Sequence, residues 1–157
     1  MKTIIIGIGN PILGDDGIGL HIIWELRKKI RHLAEITIEE AHTGGMNLLD
    51  ILRGYDRAIL IDAVSIKGLS HGEIMRFDIN EIETIHSFNP HDVNILEAIE
   101  LAKRIGDTEI PKNIIVIGVN LRKIPVEFSE SLSPEVMQII PGALEMILSE
   151  LDVRNVS

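Results

Sequence analysis

Residues 7–19 read GIGNPILGDDGIG and stand between the apolar run 4–6 and an amphipathic helix. Glycines allow the backbone to turn tightly at the end of a buried strand, where a Cβ atom would clash. The acidic pair Asp15 and Asp16 lies where the chain enters the helix. Two carboxylates would repel a phosphate group from the positive helix end, and they would attract a cation. The stretch therefore predicts a strand–turn–helix unit with metal or cationic chemistry at the tip of an α/β sheet.

The composition restricts the classes of partner. The 157 residues include 24 acidic and 15 basic side chains, and the net charge of −9 disfavours binding to nucleic acid or to an anionic membrane. The chain has no cysteine, which excludes disulfides, thiolate metal sites and cysteine nucleophiles. It has neither a signal-peptide pattern nor an apolar run of the roughly 20 residues that span a bilayer. We expect one domain over residues 1–157 in a cytoplasmic protein that is a monomer or a weak homo-oligomer.

Strand-like and helix-like patterns alternate along the chain. The predicted strands are 3–8, 35–41, 58–63, 73–77 and 113–119, of which 73–77 is expected to be antiparallel. Ser133 and Pro134 form a predicted helix start, and Pro141 is predicted to kink the helix that follows. The alternation predicts an α/β three-layer sandwich, in which helices on both faces cover a mostly parallel, twisted sheet of about five strands.

Candidate functional residues gather at the predicted carboxyl ends of the strands, where open parallel sheets bind their ligands. Asp15 and Asp16 follow the first strand, Asp62 ends the third, and His86 and His91 lie in a later connection. Carboxylates with an imidazole suit divalent zinc or nickel and leave positions open for water or substrate. Either aspartate of the pair could instead cap the first helix, Asp15 being the better candidate for that role. The remaining histidines, His21, His32, His42 and His71, are interpreted as ordinary surface or half-buried residues.

Two other functions are consistent with parts of the pattern. A peptidyl-tRNA hydrolase-like esterase also opens with a strand followed by GxGNP, but it carries a His-Asn pair where this chain has Asp15 and Asp16. A nucleotide-binding regulatory module would need a third glycine at the position of Ile12. Both alternatives therefore fit the first motif poorly.

Five segments together resemble the hydrogenase maturation endopeptidases, which process the large subunit of nickel–iron hydrogenases. They are GIGNPILGDDGIG at 7–19, TGGMNLLDIL at 43–52, AILIDAV at 58–64, HDVN at 91–94 and LSPEVMQIIPGALEMIL at 132–148. They are spread over nearly the whole chain, and their order and spacing make the match specific. The first motif departs in one respect, because family members often have Glu where this chain has Asp16.

The resemblance implies an endopeptidase that removes the C-terminal extension of a hydrogenase large-subunit precursor after nickel insertion. Asp16, Asp62 and His91 match the positions that bind nickel, and the nickel is recognised as part of the substrate. The same site could accept other divalent ions such as zinc or cadmium. The sequence does not identify the nucleophile or general base, for which Asp16 and Asp62 are the candidates. Supporting roles are expected for Asp15 and His86 as neighbours of the metal or alternative ligands, and for Asn10, Gly44 and Gly45 in the cleft wall.

Overall fold

A five-stranded sheet forms the centre of the molecule in a computed structural model that describes residues 1–30, 33–42, 46–79, 99–122 and 128–151. The spatial order of the strands is β2-β1-β3-β5-β4, and β4 alone runs antiparallel, against β5. The predicted α/β class with its antiparallel strand is therefore confirmed. The strands are β1 Thr3–Ile8, β2 Ile36–Ala41, β3 Arg57–Val64, β4 Ile74–Asp78 and β5 Asn113–Asn120.

Helices follow the strands along the chain. A 3-10 turn at Gly14–Gly17 leads into the first long helix, and residues 99–104 are also helical. None of the helices within the described ranges is long and apolar enough to cross a lipid bilayer. The named helices are α1 Ile18–Lys29, α2 Met46–Leu52, α3 Pro134–Met137 and α4 Ile140–Glu150.

The two faces of the sheet bury separate aliphatic cores, because successive side chains of a strand point to opposite faces. Ile5, Ile59 and Ile117 pack with α1 and α4 on one face. On the other face, Ile4 and Leu60 pack with α2 and with the helical residues 99–104. Helices on both faces explain why β1, β3 and β5 read as continuous apolar runs rather than as alternating ones.

Three local predictions about helices and strands are corrected by the structure. The last helix is not kinked at Pro141, because α3 ends at Met137 and α4 begins at Ile140 with the proline in its first turn. That position needs no backbone N–H and suits the fixed φ of proline. Neither Asp15 nor Asp16 is the N-cap of α1, since that position is Gly17 and has no side-chain cap bond. Asp62 lies two residues before the end of β3 rather than at its last position.

Candidate active site

Two buried carboxylates lie at the carboxyl edge of the sheet. Asp16, in the 3-10 turn after β1, is 3% exposed, and Asp62 on β3 is 7% exposed. Within the described ranges they are the only buried side chains that can ionise. Burial of a charge costs much free energy unless hydrogen bonds, an opposite charge or a metal compensates for it. Burial therefore singles out these two carboxylates as the candidate chemical centre.

Close backbone contacts bring the two carboxylate-bearing elements together. A Cβ atom on Gly19 would lie 2.4 Å from the carbonyl oxygen of Ile61 and 2.5 Å from that of Ile8. Only glycine allows the first turn of α1 to pack directly on the ends of β1 and β3. The 3-10 turn that carries Asp16 consequently contacts β3, the strand that carries Asp62.

The face of the sheet on which Asp62 lies follows from the strand alternation. Ala58 and Leu60, at the same parity in β3, belong to the core under α2. Ile99 and Ala102, from the helical residues 99–104, pack in that same core. Asp62 therefore faces the side of the sheet on which the helix after the histidine-bearing segment packs.

Asp16 is held by the chain that precedes it. The backbone N–H of Asn10 donates to Asp16 Oδ2 at 3.1 Å, and the Asn10 side-chain oxygen accepts from the N–H of Ile12 at 3.1 Å. These bonds fix the loop between β1 and the 3-10 turn. Asn10, predicted to shape the cleft wall, thus contacts the carboxylate itself through its main chain.

Asp15 binds a distant segment instead of capping its own helix. Its Oδ1 accepts from the backbone N–H of Ser133 at 2.7 Å, and its Oδ2 accepts from the Ser133 hydroxyl at 2.9 Å. The Ser133 oxygen in turn accepts from the N–H of Val136 at 3.4 Å and so caps α3. The adjacent aspartates therefore divide their roles. Asp15 anchors the start of α3, and Asp16 remains at the edge of the sheet.

Further bonds join the segment 128–133 to the turn. Gly14 N–H donates to the Ser129 carbonyl at 2.7 Å, and Ser129 N–H donates to the Ile12 carbonyl at 2.8 Å. His21 also bonds to the backbone of Glu130. Burial lowers the pKa of His21 below its ordinary value of 6.5, although the bond to Glu130 acts in the opposite direction. The turn that carries Asp16 is therefore held in place by the loop before it and by the segment 128–133.

Several predicted site residues lie outside the described residues, namely His86, His91, Gly44 and Gly45. The described part of the chain accordingly contains no group of three or more acidic, histidine or cysteine side chains placed to hold a metal. Of the other histidines, His42 bonds to Glu40 at 2.9 Å, and His71 Nδ1 accepts from the N–H of Arg122 at 3.1 Å. The structure thus brings the elements that carry Asp16 and Asp62 into contact, and the ligand set with His91 stays a prediction.

Two residues at this edge were missed by the sequence analysis as members of the site. Ser133 gives a clear helix-start signal, but its bond to a carboxylate 118 positions earlier has no local signature. Asn120, the last residue of β5, is 2% exposed. A polar residue that ends an apolar strand at the carboxyl edge is the same signal that identified Asp62, and it could have identified Asn120.

Comparisons with known proteins converge on one family. Residues 20–150 match the family model described as hydrogenase maturation protease. The hydrogenase expression/formation protein HupD of Thiocapsa roseopersicina is 30% identical over 96% of this chain and 67% of its own length. The hydrogenase 2 maturation protease of Escherichia coli K12 is 28% identical over 96% of this chain and 91% of its own. The solved structure of the hydrogenase maturating endopeptidase HybD from E. coli superimposes with a TM-score of 0.76 at 25% identity, covering 100% of this chain and 94% of that one.

Proposed function

This chain belongs to the hydrogenase maturation protease family, a family of peptidases, and we propose that it recognises nickel in its substrate through Asp16, Asp62 and His91. The substrate is the precursor of a nickel–iron hydrogenase large subunit, from which the enzyme removes the C-terminal extension. The nickel enters the site with the precursor and belongs to the substrate. A precursor that lacks nickel therefore lacks the group that places its scissile bond in the site.

The observation that carries this proposal is the burial of two carboxylates at one edge of the sheet. Asp16 and Asp62 supply oxygen donors of the kind that divalent ions accept, and a bound cation would offset the cost of burying both charges. His91 adds a nitrogen donor, and it precedes in sequence the helix that packs on the Asp62 face. Two oxygens and one nitrogen suit nickel and leave coordination positions for the precursor's own ligands.

The chain's own groups supply further chemistry at this edge. A carboxylate that is not neutralised by the metal can accept a proton from an attacking water molecule. Asp16 and Asp62 are the candidates for that base. Nickel held by the precursor would supply positive charge close to the scissile carbonyl, and the segment 128–133 keeps the Asp16 turn in place.

The test compares nickel-loaded and nickel-free large-subunit precursor from the source organism, with the products weighed by mass spectrometry. We expect the parent enzyme to shorten only the nickel-loaded form. Asp16→Asn, Asp62→Asn and His91→Ala should each reduce the cleavage rate by at least about 100-fold, since loss of a group that merely supports a metal ligand typically costs about 10–100-fold.

Asp50→Asn is a matched control, because Asp50 lies on α2 with its side chain 80% exposed. This variant should cleave at the parent rate. Asp16→Glu restores the longer carboxylate that the family often has at this position, and it should retain activity. Equal cleavage of both precursor forms, or full activity in all three ligand variants, would contradict the proposal.

A further inference from the structure

A second concave feature opens at the same edge of the sheet. It is a cleft of about 490 Å³ between the loop 65–70, which follows β3, and the end of β5. Among the residues that the structure describes, its lining includes the cations Lys67 and Arg122 and contains no carboxylate. The whole chain has 24 acidic against 15 basic side chains, so a cleft with two cations and no acid differs sharply from the average surface. This local charge favours an anionic ligand.

Hydrogen bonds from Asn120 hold the loop that lines the cleft. Both polar atoms of the buried Asn120 side chain bond to the loop. Oδ1 accepts from the N–H of Ile66 at 2.7 Å. Nδ2 donates to the carbonyls of Leu69 and Ser70 at 3.2 and 3.0 Å. The backbone of Asn120 adds a bond from the N–H of Gly72 at 2.6 Å. The loop is therefore held in place before any ligand binds, which reduces the ordering cost of binding.

The two cations are available to a ligand. Both side chains are exposed, and neither has an ion-pair partner among the residues that the structure describes. Glu73, close to the loop, and Glu135, on α3, have other partners. Glu73 accepts from the N–H of Ser70 at 2.9 Å, and His71 lies 3.9 Å from the carboxylate of Glu135.

The cleft lies a short distance along the chain from the buried carboxylate of Asp62. Ser65 lines the cleft and is the first residue after β3. It follows Asp62 by three residues in the sequence. At about 3.3 Å per extended residue, this corresponds to about 10 Å, or about three residues of a bound peptide. A polypeptide whose scissile bond lies at Asp16 and Asp62 can therefore reach the cleft.

We propose that this cleft is a substrate subsite, in which Lys67 and Arg122 bind a carboxylate of the precursor about three residues from the bond that is cleaved. The inference rests on the proposed function, because it assigns the cleft to the same substrate. The carboxylate comes from an acidic side chain of the precursor or from the C-terminus of its extension. The two sources share one chemistry and are separated by the test below.

The test uses the double charge reversal Lys67→Glu/Arg122→Glu. We expect KM for the nickel-loaded precursor to rise by about 10-fold or more, with kcat within about twofold, because the cations contribute to binding rather than to chemistry. Lys112→Glu is the matched control. Lys112 is exposed and immediately precedes β5, so it lies at the opposite edge of the sheet, and its reversal should leave KM unchanged.

Direct binding is measured by fluorescence anisotropy with labelled peptides of sequence Gly-Ala-Glu-Glu-Ala-Gly, which require neither nickel nor cleavage. The acidic peptide should bind the parent enzyme in a salt-sensitive manner and should lose about 10-fold in affinity with the double reversal. Versions with Gln for Glu, and with an amidated C-terminus, identify which carboxylate is bound.

Equal binding of the acidic and the doubly neutralised peptides, or equal KM for parent and double reversal, would overturn the inference. Either result leaves the proposed function intact if nickel-loaded precursor is still cleaved. Conversely, charge-dependent peptide binding without any nickel-dependent cleavage would remove the proposed function and retain the cleft as an acidic-peptide site.

Discussion

The two edges of the sheet handle charge in opposite ways. At the amino edge, Arg57 at the start of β3 donates to the Glu150 carbonyl at 2.7 Å and to its carboxylate at 2.5 Å, and Arg76 of β4 contacts the same carboxylate. Charges of opposite sign form ion pairs at this edge. At the carboxyl edge, the two buried ionisable groups, Asp16 and Asp62, carry the same sign.

This difference separates stability from function. The arginines bind the C-terminal end of α4 to the sheet, where the negative end of the helix also favours a cation. At the carboxyl edge, each buried carboxylate carries a desolvation cost, which hydrogen bonds such as that from the Asn10 N–H to Asp16 offset in part. A cation brought by the substrate would add to that compensation.

Asp62→Asn tests whether the carboxyl edge serves function rather than stability. We expect the cleavage rate of nickel-loaded precursor to fall by at least about 100-fold. The variant should remain folded under the conditions of the assay, because Asn keeps the shape of the Asp side chain and removes only its charge. Urea denaturation and the cleavage assay test both statements on the same preparation. A variant that loses activity only because it unfolds would contradict the assignment.

Arg57→Met should give the opposite result at the amino edge. The side chains of Arg57 and Glu150 are 17% and 13% exposed, so loss of this half-buried pair should lower the free energy of unfolding by about 2 kcal/mol. Cleavage by the folded variant should stay within about twofold of the parent rate.

Arg104→Met is the control for that substitution. Arg104 and Glu100 form an exposed pair one helical turn apart at 2.8 Å, and the variant should change the free energy of unfolding by less than about 0.5 kcal/mol. A similar loss in both variants would show that the amino edge gains nothing from its partial burial.

Ser133→Ala tests the contact between Asp15 and the start of α3. The change removes the hydroxyl bond to Asp15 and the cap of α3, and it should lower the free energy of unfolding by about 1 kcal/mol. Ser131→Ala is the control, because only the backbone of Ser131 takes part in its bonds with Ser129. Identical unfolding curves for the two variants would contradict a structural role for the Asp15–Ser133 contact.

The smallest expected effect is a pH dependence from His21. Burial lowers the pKa of His21 below 6.5, so the folded protein binds this proton less readily than the unfolded chain does. The free energy of unfolding therefore falls as pH decreases through 6.5 towards the lower folded value. His21→Gln should make the decrease between pH 7.5 and pH 5 shallower, as measured by urea denaturation. Parallel pH curves for the two proteins would exclude this contribution.

The layout of the sheet could be predicted from the sequence because burial on both faces leaves continuous apolar runs. β1, β3 and β5 were placed within one residue at each end for this reason. The antiparallel β4 is predicted from the stretch 73–77 that follows Gly72, and the bounds of the observed strand are shifted by one residue. The break between α3 and α4 is not predicted, since apolar residues continue at helical spacing from Val136 to Ile140 and the dihedral angles of Gln138 and Ile139 stay in the helical region.

Residues of the candidate site could be predicted only where they lie at, or directly after, the carboxyl end of a strand. Asp16 and Asp62 follow from the rule that ligands bind beyond the carboxyl ends of parallel strands, and the structure brings their elements together. The role of Asp15 could not be predicted in this way. A short acidic residue before a helix satisfies the rules for a cap, and its actual partner, Ser133, is fixed by tertiary packing.

The contact of Gly19 with the carbonyls of Ile8 and Ile61 also bears on how such an enzyme can diverge. Main-chain atoms are the same in every sequence, so a joint between helix and sheet made of them is insensitive to exchanges among aliphatic side chains in either core. Mutational drift can then replace most of the interior while the spacing between the two acidic positions stays constant. Gly19 and Gly7, whose added Cβ would lie 2.6 Å from the Gly19 carbonyl oxygen, are exceptions, and selection should tolerate no larger residue at either position.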